Sequence, residues 1–357
     1  MPRERVIFIS GLQIFPPLSG GQLRTANLAR KISESSDVVV YSMTGRKKDY
    51  LSHTSSNLHS IAPHLEEFVN RSRFFGILQF LSYRLHLPPL WLTVIGHLFL
   101  PKGLQQYVTK ADRVIIDHPY LYPIFRWGRR ERILNTHNVE HHLWRRSWWT
   151  KVFVAPIVKK IESKAILGSQ QVWCCSAEEK EVLFAMGQGR RPVVVVPNFV
   201  PPMIRSEQAG RMVRSELSIP VRSKVILFTA SQYAPNIDAL NFLSEFALSH
   251  HRLLEQLDVF ILVVGSVSAS QRREGRLIVT GPVAEVTSYF SAADLAINPV
   301  TAGSGTNLKM FEYQAAGIPI LSTSFGARGL NLVEGIDFKP FRREELDRVL
   351  QQELGAR

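Results

Sequence analysis

The chain has 357 residues, enough for two or three domains with ample core. A hydrophobic fraction of 45% excludes a disordered chain, and 2 cysteines, adjacent at Cys174 and Cys175, exclude a disulfide scaffold and fit a reducing cytoplasm. Lys plus Arg is 43 against 30 Asp plus Glu, and the net charge of +13 asks for an anionic partner: nucleic acid, a membrane surface or a phosphorylated substrate.

Arg5 to Ser10 is short and almost wholly apolar, the pattern of a buried parallel strand, and no apolar signal region precedes it. Residues 11–21 read as a loop holding Pro16, Pro17, Gly20 and Gly21, and Gln22 to Ser33 has helical spacing. Strand, glycine loop and helix form the first unit of a doubly wound domain, but the loop lacks dinucleotide-binding spacing. A second strand is expected at Val38 to Tyr41, then a polar surface loop over 42–67. Residues 68–107 mix apolar side chains with Arg71, Arg73, Arg84 and Lys102, and read either as core helices or as a face resting on a membrane. The apolar stretch from Phe74 to Leu100 is interrupted by Arg84 and by Pro88-Pro89, so it is not read as a membrane span.

Arg113 to Asp117 is the next strand, and His118 follows its carboxyl end, where open α/β sheets bind ligands. Arg132 to Leu134 is another strand, followed by His137, Asn138, Glu140, His141 and His142. Three histidines and a carboxylate are suitable metal ligands, but their spacing is wrong for the two-histidine metal helix, and no metal is expected. Trp144, Trp148 and Trp149 alternate with Arg145, Arg146 and Lys151, a pattern shared by solvated basic helices, lipid interfaces and single-stranded nucleic-acid sites. Ser176-Ala-Glu-Glu179 signals a helix start, and Pro197 to Pro202 reads as a linker. Beyond it, strands are expected at Val225 to Thr229, Val259 to Val264, Leu277 to Thr280, Leu295 to Asn298 and Ile318 to Thr323.

The most informative stretch runs from Asn298 to Thr323. Ala302 to Thr306 carry little side chain, so their N–H groups can approach a ligand. Thr306 is the expected N-cap of a helix from Asn307 to Ala316, and Gly317 suits a left-handed C-terminal cap. A small-residue loop opening a helix favours phosphate, Lys309 adds a full charge, and Glu312 lies on the same face, where a carboxylate can accept from paired hydroxyls. The outline is that of a nucleoside diphosphate; a solvated Lys–Glu pair on a surface helix is the other reading.

Gly303-Ser-Gly-Thr-Asn-Leu-Lys-Met-Phe-Glu-Tyr-Gln-Ala-Ala-Gly-Ile-Pro319 resembles the donor-site signature of family 4 retaining glycosyltransferases, and Gly-Ser-Gly-Thr at its start resembles a bacterial surface-polysaccharide branch. The resemblance is strong over 225–332 and weaker in the N-terminal half. It implies an α/β protein of the GT-B fold, two Rossmann-like doubly wound domains facing each other across a cleft. The expected domains are 1–200 on the acceptor side, 201–340 for the nucleotide sugar, and a helix in 341–357 crossing back to the first domain. By the same resemblance Glu312 holds the donor ribose and Lys309 the pyrophosphate. Gly20, Gly21, Ser231, Asn236, Gly281, Val283, Gly303, Ser304, Gly305, Thr306, Asn307 and Leu308 complete the donor site. His118 contacts the donor sugar, and His137, Asn138, Glu140 and Arg145 serve the acceptor. The family's first signature glutamate is Ser304 here, which bears on sugar contacts and leaves the nucleotide site intact.

The function implied is transfer of a sugar from a nucleotide-diphosphate sugar to a glycan or lipid-linked acceptor in surface polysaccharide synthesis. No resident cofactor or nucleic acid is expected. The expected place is the cytoplasm, with contact to the anionic inner face of the membrane. A nucleotide-sugar epimerase of the same fold and a silent, membrane-associated transferase-like subunit are the alternatives.

Overall fold

A computed structural model describes residues 3–17, 19–44, 57–85, 87–98, 101–127, 131–145, 147–283, 285–303, 307–328, 330 and 332–355. The chain divides into two compact units, 1–198 and 199–357.

The first unit holds strands β1 (Glu4–Ser10), β2 (Ser36–Thr44), β3 (Leu58–Ala62), β4 (Leu65–Arg71), β5 (Arg113–Asp117), β6 (Glu131–Asn135), β7 (Gln171–Cys174) and β8 (Val193–Val195). Its helices are α1 (Gly20–Ser33), α2 (Arg73–Arg84), α3 (Leu90–Leu98), α4 (Lys102–Lys110), α5 (Glu140–Leu143), α6 (Ala155–Gly168) and α7 (Ala177–Met186), with a 3-10 helix at Pro119–Trp127 and a π turn at Thr150–Val154. The sheet order is β3-β4-β2-β1-β5-β6-β7-β8, parallel except for β3 against β4. Val6 to Ile9 of β1 are buried on both faces, as a central parallel strand requires. On one face, Ile7, Ile9, Val114, Ile116 and Leu134 pack under α2, α3, α4, the 3-10 helix and α6.

The second unit holds α8 (Glu207–Glu216), β9 (Lys224–Thr229), α9 (Ala234–Ser249), α10 (His251–Gln256), β10 (Val259–Val264), β11 (Arg272–Glu274), β12 (Leu277–Val279), α11 (Thr287–Ala292), β13 (Leu295–Asn298), α12 (Leu308–Ala315), β14 (Ile320–Ser322), β15 (Lys339–Pro340) and α13 (Leu346–Leu354). The order is β11-β12-β10-β9-β13-β14-β15, parallel except for β11 against β12. Separate apolar clusters fill its two faces.

Three expectations change. Residues 58–67, read as part of a surface loop, lie in β3, β4 and the turn between them, because Leu65, Glu67 and Val69 of β4 alternate inward and bury completely. Gly20 and Gly21 are the first turn of α1, capped by Ser19, whose side chain accepts from the Gln22 amide. The helix expected from Ile237 begins at Ala234, with Pro235 in its first turn. Leu346, Val349 and Leu350 of α13, the last helix, are buried in one of the second unit's apolar clusters.

Candidate functional site

Both sheets are doubly wound, and each reverses its strand order beside its first strand. The switch lies between β1 and β5 in the first unit and between β9 and β13 in the second. Ligands of such sheets bind at the carboxyl ends at that point. Each unit gathers its polar side chains there.

In the second unit the loop after β9 meets the loop after β13. Gly303 has φ 136°, and a Cβ there would lie 3.2 Å from Pro235 Cγ and 3.4 Å from the Tyr233 hydroxyl, so only glycine fits this approach. Lys309 is 9% exposed; its Nζ donates to Asn236 Oδ1 at 2.8 Å and lies 4.2 Å from the Phe228 ring centre. Asn236 is in turn fixed by donating to Ser231 O at 3.0 Å. Burial lowers the Lys309 ammonium to about 7, although Glu312 opposes the shift. Burial raises half-buried Glu312 to about 7, against the pull of Lys309. Among the described residues no ion pair joins the two, and the Glu312 carboxylate has no hydrogen-bond partner.

Asn307, placed just before α12, does not cap it with its side chain; its amide donates to Gly326 O at 2.9 Å. Leu308 opens the helix and is buried, and Gly317 closes it at φ 61°. Gly281, at φ 71°, accepts from the Gly265 amide, and Val283 packs on the adjoining apolar cluster. Ser304, Gly305 and Thr306 lie outside the described residues.

In the first unit β5 ends in Asp117, 1% exposed, which accepts from Thr25 Oγ1 at 2.6 Å and Asn135 Nδ2 at 2.7 Å, with His137 Nε2 at 3.4 Å. His118 follows in the left-handed region, φ 69°. Its Nδ1 lies 3.2 Å from Glu140 Oε1, while the Tyr120 hydroxyl donates to Glu140 Oε2 at 3.2 Å. The His118 and His137 rings stack at 4.4 Å. Gly21 lets α1 approach this pair, since a Cβ there would meet His137 Nδ1 at 3.2 Å.

These environments drive the two histidines apart. Burial disfavours the His118 cation, but the bond and charge of Glu140 outweigh it and raise its pKa. Burial and the neighbouring His118 charge lower His137. Burial alone would raise Asp117 and Glu140, yet His137 and His118 respectively hold them below the ordinary carboxylate range. Of the stacked pair, His118 is therefore the ring that holds a proton more readily.

Residues 223–346 match the family model described as glycosyl transferases group 1. The second unit carries a glycosyl transferases group 1 domain. With that domain the chain is a transferase, of the glycosyl class. No protein of curated function matches the sequence. Solved structures share the whole fold at low identity. Sucrose-phosphate synthase from Thermosynechococcus elongatus has 12% identity and a TM-score of 0.65, covering 99% of this chain and 90% of that one. The UDP-forming trehalose-phosphate synthase of Burkholderia xenovorans has 12% identity and a TM-score of 0.63, covering 100% and 92%. The Anabaena protein HepE, in complex with UDP and glucose, has 14% identity and a TM-score of 0.61, covering 99% and 90%. The fold is GT-B.

Among the donor residues expected from sequence, the transferase brings Ser231, Asn236, Gly303 and Lys309 together, with Glu312 one turn further along the helix. His137 and Glu140, expected at the acceptor, have side chains 6% and 7% exposed, and they hold Asp117 and His118 in place. Asn138 is half-buried between β6 and α5, and Arg145 is exposed beyond α5. Sequence reading missed Arg24, whose Nε donates to Asn135 Oδ1 at 3.2 Å and whose Nη1 donates to Val196 O at 2.7 Å and Asn198 Oδ1 at 3.0 Å. Its position one turn after Gly20-Gly21 was the available signal. Arg328 was missed too: it stacks 3.6 Å from the Phe325 ring centre and interacts electrostatically with Tyr233, supplying a cation beside the 230–236 loop.

Proposed function

We propose that this protein is a retaining glycosyltransferase that moves a sugar from a nucleotide-diphosphate sugar to a glycan or lipid-linked acceptor, in surface polysaccharide synthesis at the inner face of the cytoplasmic membrane. One observation carries the nucleotide part. At the switch point of the second sheet, a buried lysine held by Asn236 and a carboxylate without a partner share one helical face. Lys309 receives the diphosphate, and its charge is restored when the phosphates arrive. Glu312 accepts the ribose hydroxyls. The leaving group is an anion, so Lys309 and the backbone N–H groups at the start of α12 stabilise the transition state as the anomeric C–O bond breaks. The acceptor oxygen attacks from the same side, and a phosphate oxygen takes its proton. His118, cationic through Glu140, serves the sugar.

Several structures of this fold hold UDP, so UDP is the first nucleotide to test. Calorimetry with UDP, GDP and ADP should find one that binds in the micromolar range and is weakened by Glu312→Ala. No binding by any of the three would overturn the reading.

A further inference from the structure

The first unit leaves an unusual face uncovered. On α2, Phe74, Ile77, Phe80 and Leu81 follow helical spacing along one stripe, and Ile77 and Phe80 are 59% and 62% exposed. The opposite side of α2 is satisfied, with Phe75 buried in the core and stacked near Trp91 of α3. Just before α6, in and beside the π turn, Trp148 and Phe153 are 74% and 61% exposed and pack edge to face at 6.4 Å. α2, α3, the 3-10 helix and α6 all cover the same face of the sheet, so these side chains share the outside of one helical layer. Such side chains are costly to leave in water over so wide an area.

Charge says what covers them. No acidic residue occurs between Glu67 and Asp112, nor between Glu140 and Glu162. Arg73 and Arg84 flank the stripe of α2 and are exposed, as are Arg145, Lys151, Lys159 and Lys160 around the second cluster. We infer that this helical layer is a docking surface for an anionic lipid bilayer, its aromatic and aliphatic side chains entering the headgroup region inside a ring of cations. A second copy of the chain fits poorly, since pairing through the same face would bring like charges together. Branched aliphatic residues such as Ile77 and Leu81 offer no flat face for nucleic-acid bases to stack on. No helix among the described residues is long and apolar enough to cross a membrane, so the contact is peripheral. The inference deepens the lipid-linked acceptor reading and rests on it for its purpose, while its test is independent of the nucleotide site.

The experiment is flotation of the full chain with vesicles of phosphatidylcholine alone or with about a third phosphatidylglycerol, at low and high salt. The wild type should float with anionic vesicles, weaken on adding salt, and stay behind with neutral ones. Ile77→Ser/Phe80→Ser and Trp148→Ser/Phe153→Ser should each lower vesicle affinity by about tenfold or more. Circular dichroism and cooperative thermal unfolding like those of the wild type show that both variants are folded, and unchanged nucleotide binding separates failure of this inference from failure of the donor site. No flotation, equal flotation by the variants, or flotation indifferent to lipid charge would overturn it. So would dimerisation in sedimentation that the same substitutions abolish.

Discussion

The two polar clusters sit at equivalent places in the two sheets yet are built on opposite electrostatic principles. In the first unit each buried carboxylate meets partners within the protein: Glu140 meets His118 and Tyr120, and Asp117 sits in a shell of hydrogen bonds from Thr25, Asn135 and His137. The pairings outweigh burial and keep the carboxylates and His118 in their charged forms. In the second unit burial wins, and Lys309 and Glu312 are both driven toward neutrality. The first cluster meets its charges within the protein, whereas the second leaves Lys309 and Glu312 short of an ionic partner. Under the proposed function a nucleoside diphosphate would supply both an anion for Lys309 and hydroxyl donors for Glu312, which would make the second unit the seat of nucleotide binding.

The sharpest way to break this comparison is at Lys309. Lys309→Ala should lower kcat by roughly a hundred- to a thousandfold, the usual loss for one preorganised group facing developing charge. Steady-state kinetics showing a change within about threefold would remove the lysine from its role. Glu312→Ala comes next. Hydrogen bonds to a charged group are worth about 1.5–3 kcal/mol, so nucleotide affinity should drop by roughly ten- to a hundredfold. A 2′-deoxynucleotide tests the assignment, because the mutation should cost it much less. An equal loss for ribo- and deoxyribonucleotides would point away from the sugar hydroxyls.

The contrast also explains what could be read from sequence. The second unit's site is local: loop, Lys309, Glu312 and Gly317 fall within one short stretch, and helical spacing alone puts the lysine and carboxylate on one face. Its apolar strands β9, β10, β12, β13 and β14 are legible for the same reason, whereas β11, made of Arg272-Arg-Glu274, and the two-residue β15 carry no apolar pattern to read. The first unit's site is assembled across the sheet. His118 pairs with Glu140 over 22 positions, Thr25 with Asp117 over 92, and Arg24 with Asn198 over 174. No local periodicity announces such partners. Glu67 was read as part of a polar loop, yet it is fully buried and accepts from the Ile14 and Phe15 amides and from Ser42. A polar residue in an alternating strand looks the same in sequence whether it faces water or a backbone that needs an acceptor.

A smaller effect probes the first unit's cluster. Glu140→Gln removes the charge that sustains the His118 cation, and burial then lowers the histidine's pKa. Where the rate depends on that cation, the alkaline limb of the pH–rate profile should move to lower pH, costing a few-fold in kcat/KM above neutrality. A limb that stays in place would mean that His118 acts by position alone.

The last effect concerns stability, and its sign is the informative part. Lys309 has its folded pKa lowered to about 7 from the ordinary 10.5. Below the folded value the ammonium is charged in both states, and its full desolvation cost weighs on the folded protein. Between the two values the folded state has released the proton while the unfolded chain still holds it, so wild-type stability from this group rises with pH. Near the ordinary lysine pKa the difference is gone. Lys309→Met should therefore stabilise the nucleotide-free protein, and its gain should shrink as pH rises. Thermal unfolding at pH 8 and pH 10 isolates this, because both lie above the raised Glu312 value of about 7. The lost contact to Asn236 contributes equally at the two pH values and cancels. The expected difference is about 2–3 kcal/mol, from about 1.4 kcal/mol per pH unit inside the window, or roughly 5–10 °C in a domain of this size. A gain identical at the two pH values would mean that the lysine is not strained by burial, and the opposition between the two clusters would fall with it.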